Sequence, residues 1–323
     1  MTILITGAQG FVGSALCARL DEISIPYRIA TRSKKPRLSC EDIFAIEDIN
    51  ERTNWTKALV GVQQIIHLAA RVHVMRETSD IPIDEFRRVN VQGTAKLARQ
   101  AVEAGVKRFI YISSIKVNGD STPPGLAFSP ANFAVPKDSY GISKYEAECI
   151  LWQIASKSDM EVVVIRPPMI YGQGVKGNFE LMMRWIARGI PLPLAAVNDN
   201  RRSLLGLGNF VDLIATCIYH PLAANQTFFV SDGEDMSTVE LLNRIASAMG
   251  VHLRLFYVHP KILRFGANIL GKEPVFQRLY GSLQIDIEKT KQLLNWQPSI
   301  SFEEEFQRNI DGISLASSYS KSS

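Results

Sequence analysis

Residues Ile3-Leu4-Ile5-Thr6-Gly7-Ala8-Gln9-Gly10-Phe11-Val12-Gly13 hold an apolar run that stops at a glycine-rich turn. That pattern predicts a buried first strand feeding a helix. Gly7 permits the tight turn, Gly10 lets the backbone approach a pyrophosphate, and Gly13 lets the helix pack close on the strand. A phosphate held there would meet free N–H groups and the positive end of the helix dipole. The spacing G-x-x-G-x-x-G is one residue longer than the G-x-G-x-x-G fingerprint. Its place between a strand and a helix pattern makes it a dinucleotide site rather than a plain turn.

The rest of the composition is compatible with that reading. The chain has 323 residues, 46% hydrophobic and 21% charged, which suits one large α/β domain or a domain with a second lobe. Its net charge of +4 reads as small and dispersed, which argues against nucleic acid and suits an anionic small substrate. Cys17, Cys40, Cys149 and Cys217 lie far apart with no metal or redox spacing, so reduced, mostly buried thiols are expected. Gly7 and Gly10 interrupt the only apolar run near the start, so no signal peptide is read. No run reaches the ~18 to 20 apolar residues of a membrane span, and a cytosolic protein is expected.

Tyr27 to Ala30 reads as a second strand, ending in Thr31-Arg32-Ser33-Lys34-Lys35. An NAD site wants an acid near this point for the ribose 2′-hydroxyl, whereas a 2′-phosphate wants cations. Arg32 and two lysines with no acid favour NADP(H) over NAD(H); the alternative is a solvated basic loop. Asp42 to Ile46, Gln64 to Ala70, Lys107 to Ile112 and Glu161 to Ile165 read as further strands. A long helix is expected over about Asp84 to Ala104, and another carrying Tyr140 to Lys144. His67, alone at a strand end, reads as a structural residue. Steady alternation of strands and helices predicts a Rossmann-type doubly wound parallel sheet. The dinucleotide unit is expected over 1–170 plus about 203–231. A smaller, mostly helical lobe takes about 171–202 and 232–315, with Ser237 to Glu240 as a capping box. Residues 316–323 read as a disordered tail.

Tyr140 and Lys144 are four apart on one helix face. A phenol titrates too high for neutral-pH proton transfer, and a nearby ammonium would favour the phenolate. Ser114 follows a central parallel strand, where open α/β sheets place ligands, and can orient a substrate oxygen toward that phenol.

With these residues the chain resembles the extended short-chain dehydrogenase/reductase family of NAD(P)-dependent nucleotide-sugar epimerases, dehydratases and reductases. The resemblance runs through Thr6 to Gly13, Asp48-Ile49, His67 to Ala70, Asn90 with Gly93-Thr94, Ser113-Ser114, Tyr140 to Lys144 and Arg166-Pro167. It implies Tyr140 as the acid/base, Lys144 also on the nicotinamide ribose, and Ser114 on the reacting oxygen. It implies a cofactor site made of Gly7, Gly10, Phe11, Val12, Gly13, Arg32, Asp48, Ile49, Leu68, Ala69, Ala70, Asn90, Ser113, Tyr140, Lys144, Pro167 and Ile170. Ser114, Asn178, Arg202 and Arg278 would contact a UDP-linked sugar, since phosphate suits arginine forks. A homodimer is implied as well.

Family dehydratases carry an Asp-Glu pair just after the serine position, where this chain has Ile115 and Lys116. Neither is a carboxyl acid or base, which argues against dehydration. Arg32 argues for exchangeable NADPH and net reduction, and the runs Ala70 to Met75 and Arg201 to Leu205 resemble the branch that reduces the 4-keto group of a UDP-4-keto-6-deoxy-hexosamine for surface polysaccharide. NADP(H)-dependent reduction is therefore the expectation, with an NAD-dependent UDP-sugar 4-epimerase as the alternative. A non-catalytic NADP sensor of this fold would keep the glycine loop and lose the tyrosine-lysine pair; both are present here.

Overall fold

Alternate residues of the first strand face opposite layers: Ile3 and Ile5 join one apolar core and Leu4 the other, all fully buried. A strand buried on both faces in this way belongs in the middle of a parallel sheet. The computed structural model describes residues 2–32, 40, 42–72, 82–132, 136–308 and 310. In it β1 (Thr2–Thr6) is followed by α1 (Phe11–Glu22), β2 (Tyr27–Thr31), β3 (Ile43–Ala45) and β4 (Val62–His67). Next come a helix of mixed type, β5 (Arg108–Ile112), the short β6 (Ala127–Phe128), a helix labelled α4 (Ser139–Ala155) and β7 (Glu161–Arg166). The mixed helix is α2 (Pro82–Phe86), a π-helical stretch (Arg87–Gly93) and α3 (Thr94–Glu103).

The seven-stranded sheet has the order β10-β7-β5-β4-β1-β2-β3, with β10 at Gln226–Phe229, and every pairing in it is parallel. Strand order reverses between β1 and β4, the switch point at which such sheets open a crevice for ligands. One face is covered by α1 and by α6 (Leu207–Tyr219), through Leu16, Cys17, Leu20, Phe210, Leu213 and Ile214. The other is covered by α3 and α4, through Leu97, Ala101, Ala147 and Leu151, with Trp55.

A third core gathers Tyr171, Phe179, Met183, Leu204, Leu242, Ile245 and Phe306. Its elements are β8 (Met169–Tyr171), α5 (Asn178–Ala187), β9 (Arg202–Gly206), β11 (Asp235–Met236) and α7 (Thr238–Ala248). Ser237 caps α7 in a capping box with Glu240, as its sequence predicts. β11, β9 and β8 form a three-stranded sheet beside the helices of this region. Beyond it lie α8 (Pro260–Ile269), α9 (Glu273–Tyr280), β12 (Gln284–Ile285) and α10 (Glu288–Leu294). β12 pairs in parallel with β6, tying the loop after β5 to this region. The expected tail at 316–323 falls outside the described residues. Cys17 and Cys217 are buried and Cys40 and Cys149 half-buried, all four as free thiols.

Candidate functional site

The glycine turn is built by close approach. Gly7 has φ +74°, and a Cβ on it would lie 2.7 Å from the backbone nitrogen of Ala69. A Cβ on Gly13 would lie 2.2 Å from the Gly7 carbonyl oxygen, so α1 sits directly on the turn. Gly10 is the N-cap of α1, and among the described residues no side chain caps it. The N–H groups of that first turn therefore face outward as an anion cradle. A cleft of about 480 Å³ opens there, lined by Gln9, Gly10, Phe11, Ser14, Ile170 and residues 173–176, including Lys176. Val12 packs partly buried against the first core.

His67 seals the floor. It is fully buried, its Nδ1 2.7 Å from Thr6 Oγ1 and its Nε2 2.9 Å from Thr94 Oγ1. Burial, helped by the charge of Lys144, pushes its imidazole down to about 3. It is neutral and structural, joining the ends of β1 and β4 to α3. Leu68 donates its N–H to Thr6 O at 3.2 Å, and Ala69 to Thr6 Oγ1 at 3.3 Å, so the first two residues of Leu68 to Ala70 are held beside the turn.

The expected single helix over Asp84 to Ala104 is instead interrupted by the π-helical stretch. Asn90 lies within it, where its Oδ1 accepts from Arg71 N at 2.7 Å. Its Nδ2 donates to Arg71 O and to Ser143 Oγ, both at 3.0 Å. Asn90 thus joins the segment after β4 to the helix of Tyr140, and its amide is engaged by protein. A Cβ on Gly93 would strike Ile49 at 2.6 Å, which places Ile49 against the same stretch. Asp48 accepts from Arg88 Nη1 at 2.5 Å. Burial raises its carboxyl, but hydrogen bonds from Arg88, the Ile49 N–H and Asn50 together outweigh this and hold it below the usual range.

Asp138 caps α4, accepting the Gly141 N–H at 2.6 Å. That fixes Tyr140 in the first turn, its ring edge-on to Phe86 at 6.2 Å. Lys144 is 2% exposed and donates from Nζ to Ile112 O at 2.8 Å, with Nζ 5.9 Å from the Tyr140 ring centre. Burial drives its ammonium down to about 7, against the pull of Glu148. The expected lowering of the phenol is not realised. Burial pushes Tyr140 above its usual value, and the charge of Asp138 adds to this. The Lys144 ammonium is committed to a carbonyl and itself poorly solvated.

Ser113 donates to Glu148, and Glu148 takes a two-pronged contact from Arg166, with Nε at 3.0 Å. Arg166 Nη1 reaches Asn118 Oδ1 at 2.8 Å. Glu148 and Arg166 are both buried. Sequence reasoning misses this pair, although Glu148 stands four residues after Lys144 on the same helix face. Ser114 Oγ accepts from Lys116 N at 3.3 Å, which leaves its hydroxyl proton free to donate among the described residues. Ile115 N donates to Pro167 O at 3.0 Å, so the ends of β5 and β7 meet beside it.

Four predicted residues remain: Arg32, Asn178, Arg202 and Arg278. Arg32 is exposed just beyond β2, and Lys34 and Lys35 lie outside the described residues. Arg202 is partly buried and donates to Gly281 O at 2.8 Å. Burial lowers its guanidinium, and the charge of Arg278 on α9 lowers it further. Arg278 is exposed. Asn178 begins α5; its side chain is outside the described set.

Comparison with known proteins agrees with this geometry. A UDP-glucose 4-epimerase of Vibrio cholerae is 43% identical over 309 residues, covering 95% of this chain and 94% of that one. The structure of MoeE5 in complex with UDP-glucuronic acid and NAD superposes with a TM-score of 0.79 at 21% identity, covering 98% of this chain and 100% of that one. A Bacillus cereus UDP-glucuronic acid 4-epimerase in complex with NAD gives a TM-score of 0.76 at 18% identity, over 98% and 99% of the chains. Residues 3–230 match the sequence pattern of the NAD dependent epimerase/dehydratase family. With the glycine cradle, the Tyr140–Lys144 helix and this match in agreement, the chain belongs to that family of nucleotide-sugar enzymes.

Proposed function

We propose that this protein is a UDP-hexose 4-epimerase that keeps NAD bound through its cycle. The observation that carries the proposal is the 43% identity to a UDP-glucose 4-epimerase along nearly the whole of both chains. From the sequence alone this is the alternative, and the identity moves it ahead of net 4-keto reduction.

The residues present fit a dinucleotide. The open N-terminus of α1 suits the pyrophosphate, Asp48 and Ile49 would border the adenine, and Phe11 and Ile170 share the cleft with Lys176. Bound nicotinamide supplies the acceptance and return of a hydride at C4 of the sugar. Tyr140 exchanges the proton of the 4-hydroxyl, Ser114 donates a hydrogen bond to the same oxygen, and Lys144 holds a ribose hydroxyl. Arg202 and Arg278, two cations close enough to oppose one another, suit a diphosphate that neutralises both. Lys116 at the dehydratase acid position makes elimination the wrong chemistry for this site.

The test is to incubate the purified protein with UDP-glucose or UDP-N-acetylglucosamine and no added cofactor. Conversion to the 4-epimer, with NAD released on denaturation, is expected. Stoichiometric NADPH consumption with a UDP-4-keto-6-deoxy-hexosamine, and no epimerisation, would overturn the proposal.

One observation favours that second reading: Arg32 stands exposed where an NAD site carries an acid. If a 2′-phosphate binds there, Arg32→Ala should raise the NADPH Michaelis constant about tenfold or more, because charge-assisted contacts are worth roughly 1.5 to 3 kcal/mol.

A further inference from the structure

Helix α8, Pro260–Ile269, has no buried residue along its ten positions. Several of its large apolar side chains are open to water: Ile262 is 64% exposed, Phe265 68% and Ile269 69%, with Leu270 just beyond at 74%. Residues 262, 265 and 269 are three and four apart and share one helix face, while Lys261, Arg264 and Asn268 form the exposed flank beside it. Exposed apolar surface of this extent on an otherwise well-packed molecule marks a contact surface.

The charge around it is equally uneven. Between 251 and 280 stand Arg254, Lys261, Arg264, Lys272 and Arg278 against the single acid Glu273, a net +4 that equals the excess of the whole chain. The excess that composition presents as dispersed is therefore matched by this one segment. The segment is also anchored: Leu192 N donates to Arg254 O at 2.9 Å and Phe256 N to Leu192 O at 3.0 Å. No residue of α8 joins the third core, and the helix packs against α9, Glu273–Tyr280.

We infer that α8 and its flanks dock the protein on an anionic phospholipid surface. A convex helix with an apolar ridge and a basic rim suits shallow insertion at the headgroup boundary, with lysine stems reaching lipid phosphates. α9 comes directly after it and carries Arg278, so the docked face adjoins the residues proposed to hold the sugar diphosphate. The enzyme would then work at the membrane surface without spanning it; among the described residues no helix is long and apolar enough to cross.

Co-sedimentation of the full chain with vesicles of phosphatidylethanolamine and phosphatidylglycerol, against vesicles of phosphatidylcholine alone, tests this. Binding to the anionic vesicles only, weakened by salt, is expected. Phe265→Ser with Ile269→Ser should reduce it at least about tenfold. Neither side chain is buried, so circular dichroism and thermal unfolding should stay at the wild-type values. Lys261→Glu with Lys272→Glu should abolish the preference for anionic lipid. Absence of wild-type binding would overturn the inference, as would equal binding by the serine variant. An oligomer that the serine variant splits, with no vesicle binding, would assign the face to a second copy instead.

Discussion

Lys116 closes its ammonium on the carboxylate of Asp138, the residue whose other oxygen caps the helix of Tyr140. The backbone is just as tight, since a Cβ on Gly141 would lie 2.8 Å from Lys116 O. A position that family dehydratases use for an acid here steadies the cap of the tyrosine helix. Lys116→Glu should therefore gain no dehydratase activity. It should lose about 1 kcal/mol as two carboxylates repel and the cap loosens. Urea unfolding measures this, and an unchanged midpoint would reject the coupling.

Tyr140→Phe keeps the ring beside Phe86 and removes only the exchangeable proton. Turnover should fall at least ~100-fold with the fold intact. Near-normal turnover in a folded variant would end the assignment of Tyr140 as acid/base.

The buried Glu148–Arg166 pair braces Ser113 and the ends of β5 and β7. Arg166→Met would strand a carboxylate that is 1% exposed. A loss of about 3 to 5 kcal/mol is expected, read by denaturant unfolding. A loss under about 1 kcal/mol would show that the Arg166 contact does not hold Glu148 in place.

Lys144 is pushed from the usual 10.5 down to about 7 in the folded protein. Between those values the unfolded chain binds the extra proton, so this residue makes stability rise with pH across that window. Below about 7 both states carry the charge, and the full cost of burying it falls on the folded state. Lys144→Met lacks the titration. The wild type should gain on the variant between about pH 7 and pH 9.5, as denaturation midpoints would show. Parallel midpoints would mean that the ammonium stays charged throughout.

Val91 and Ile150 help line a second cleft, with Gln92, Lys96 and Arg99, on the outer face of the π stretch, α3 and α4. A homodimer through this face is expected, giving twice the 36.0 kDa chain mass in light scattering. A 36.0 kDa particle at micromolar concentration would exclude it.

The sheet and the glycine turn were legible because each rests on neighbouring residues: a short apolar run, then glycines forced by close approach at Gly7 and Gly13. Tyr140 and Lys144 were legible for the same reason, as spacing on one helix. What escaped depends on contacts between distant parts of the chain. Glu148 gains its meaning only when α4 lies beside β7 and Arg166. β11 is two residues long and exists because Met236 pairs with Arg202. The charged state of the phenol escaped too, because burial and the direction of the lysine cannot be read from a four-residue spacing.

The π-helical stretch from Arg87 to Gly93 has its own consequence for the length of the chain. A wider turn holds an extra residue, so the helix on its far side is out of phase with the helix before it. Removing one residue there would restore a regular α-helix and rotate the downstream turns by about 100°. Asn90 would turn away from Arg71 and Ser143, or Gly93 would leave Ile49 facing a side chain. Recombinants that join this chain to a relative should therefore place their junctions outside 87–93. A junction that drops one residue inside it would preserve the helix and dismantle the site.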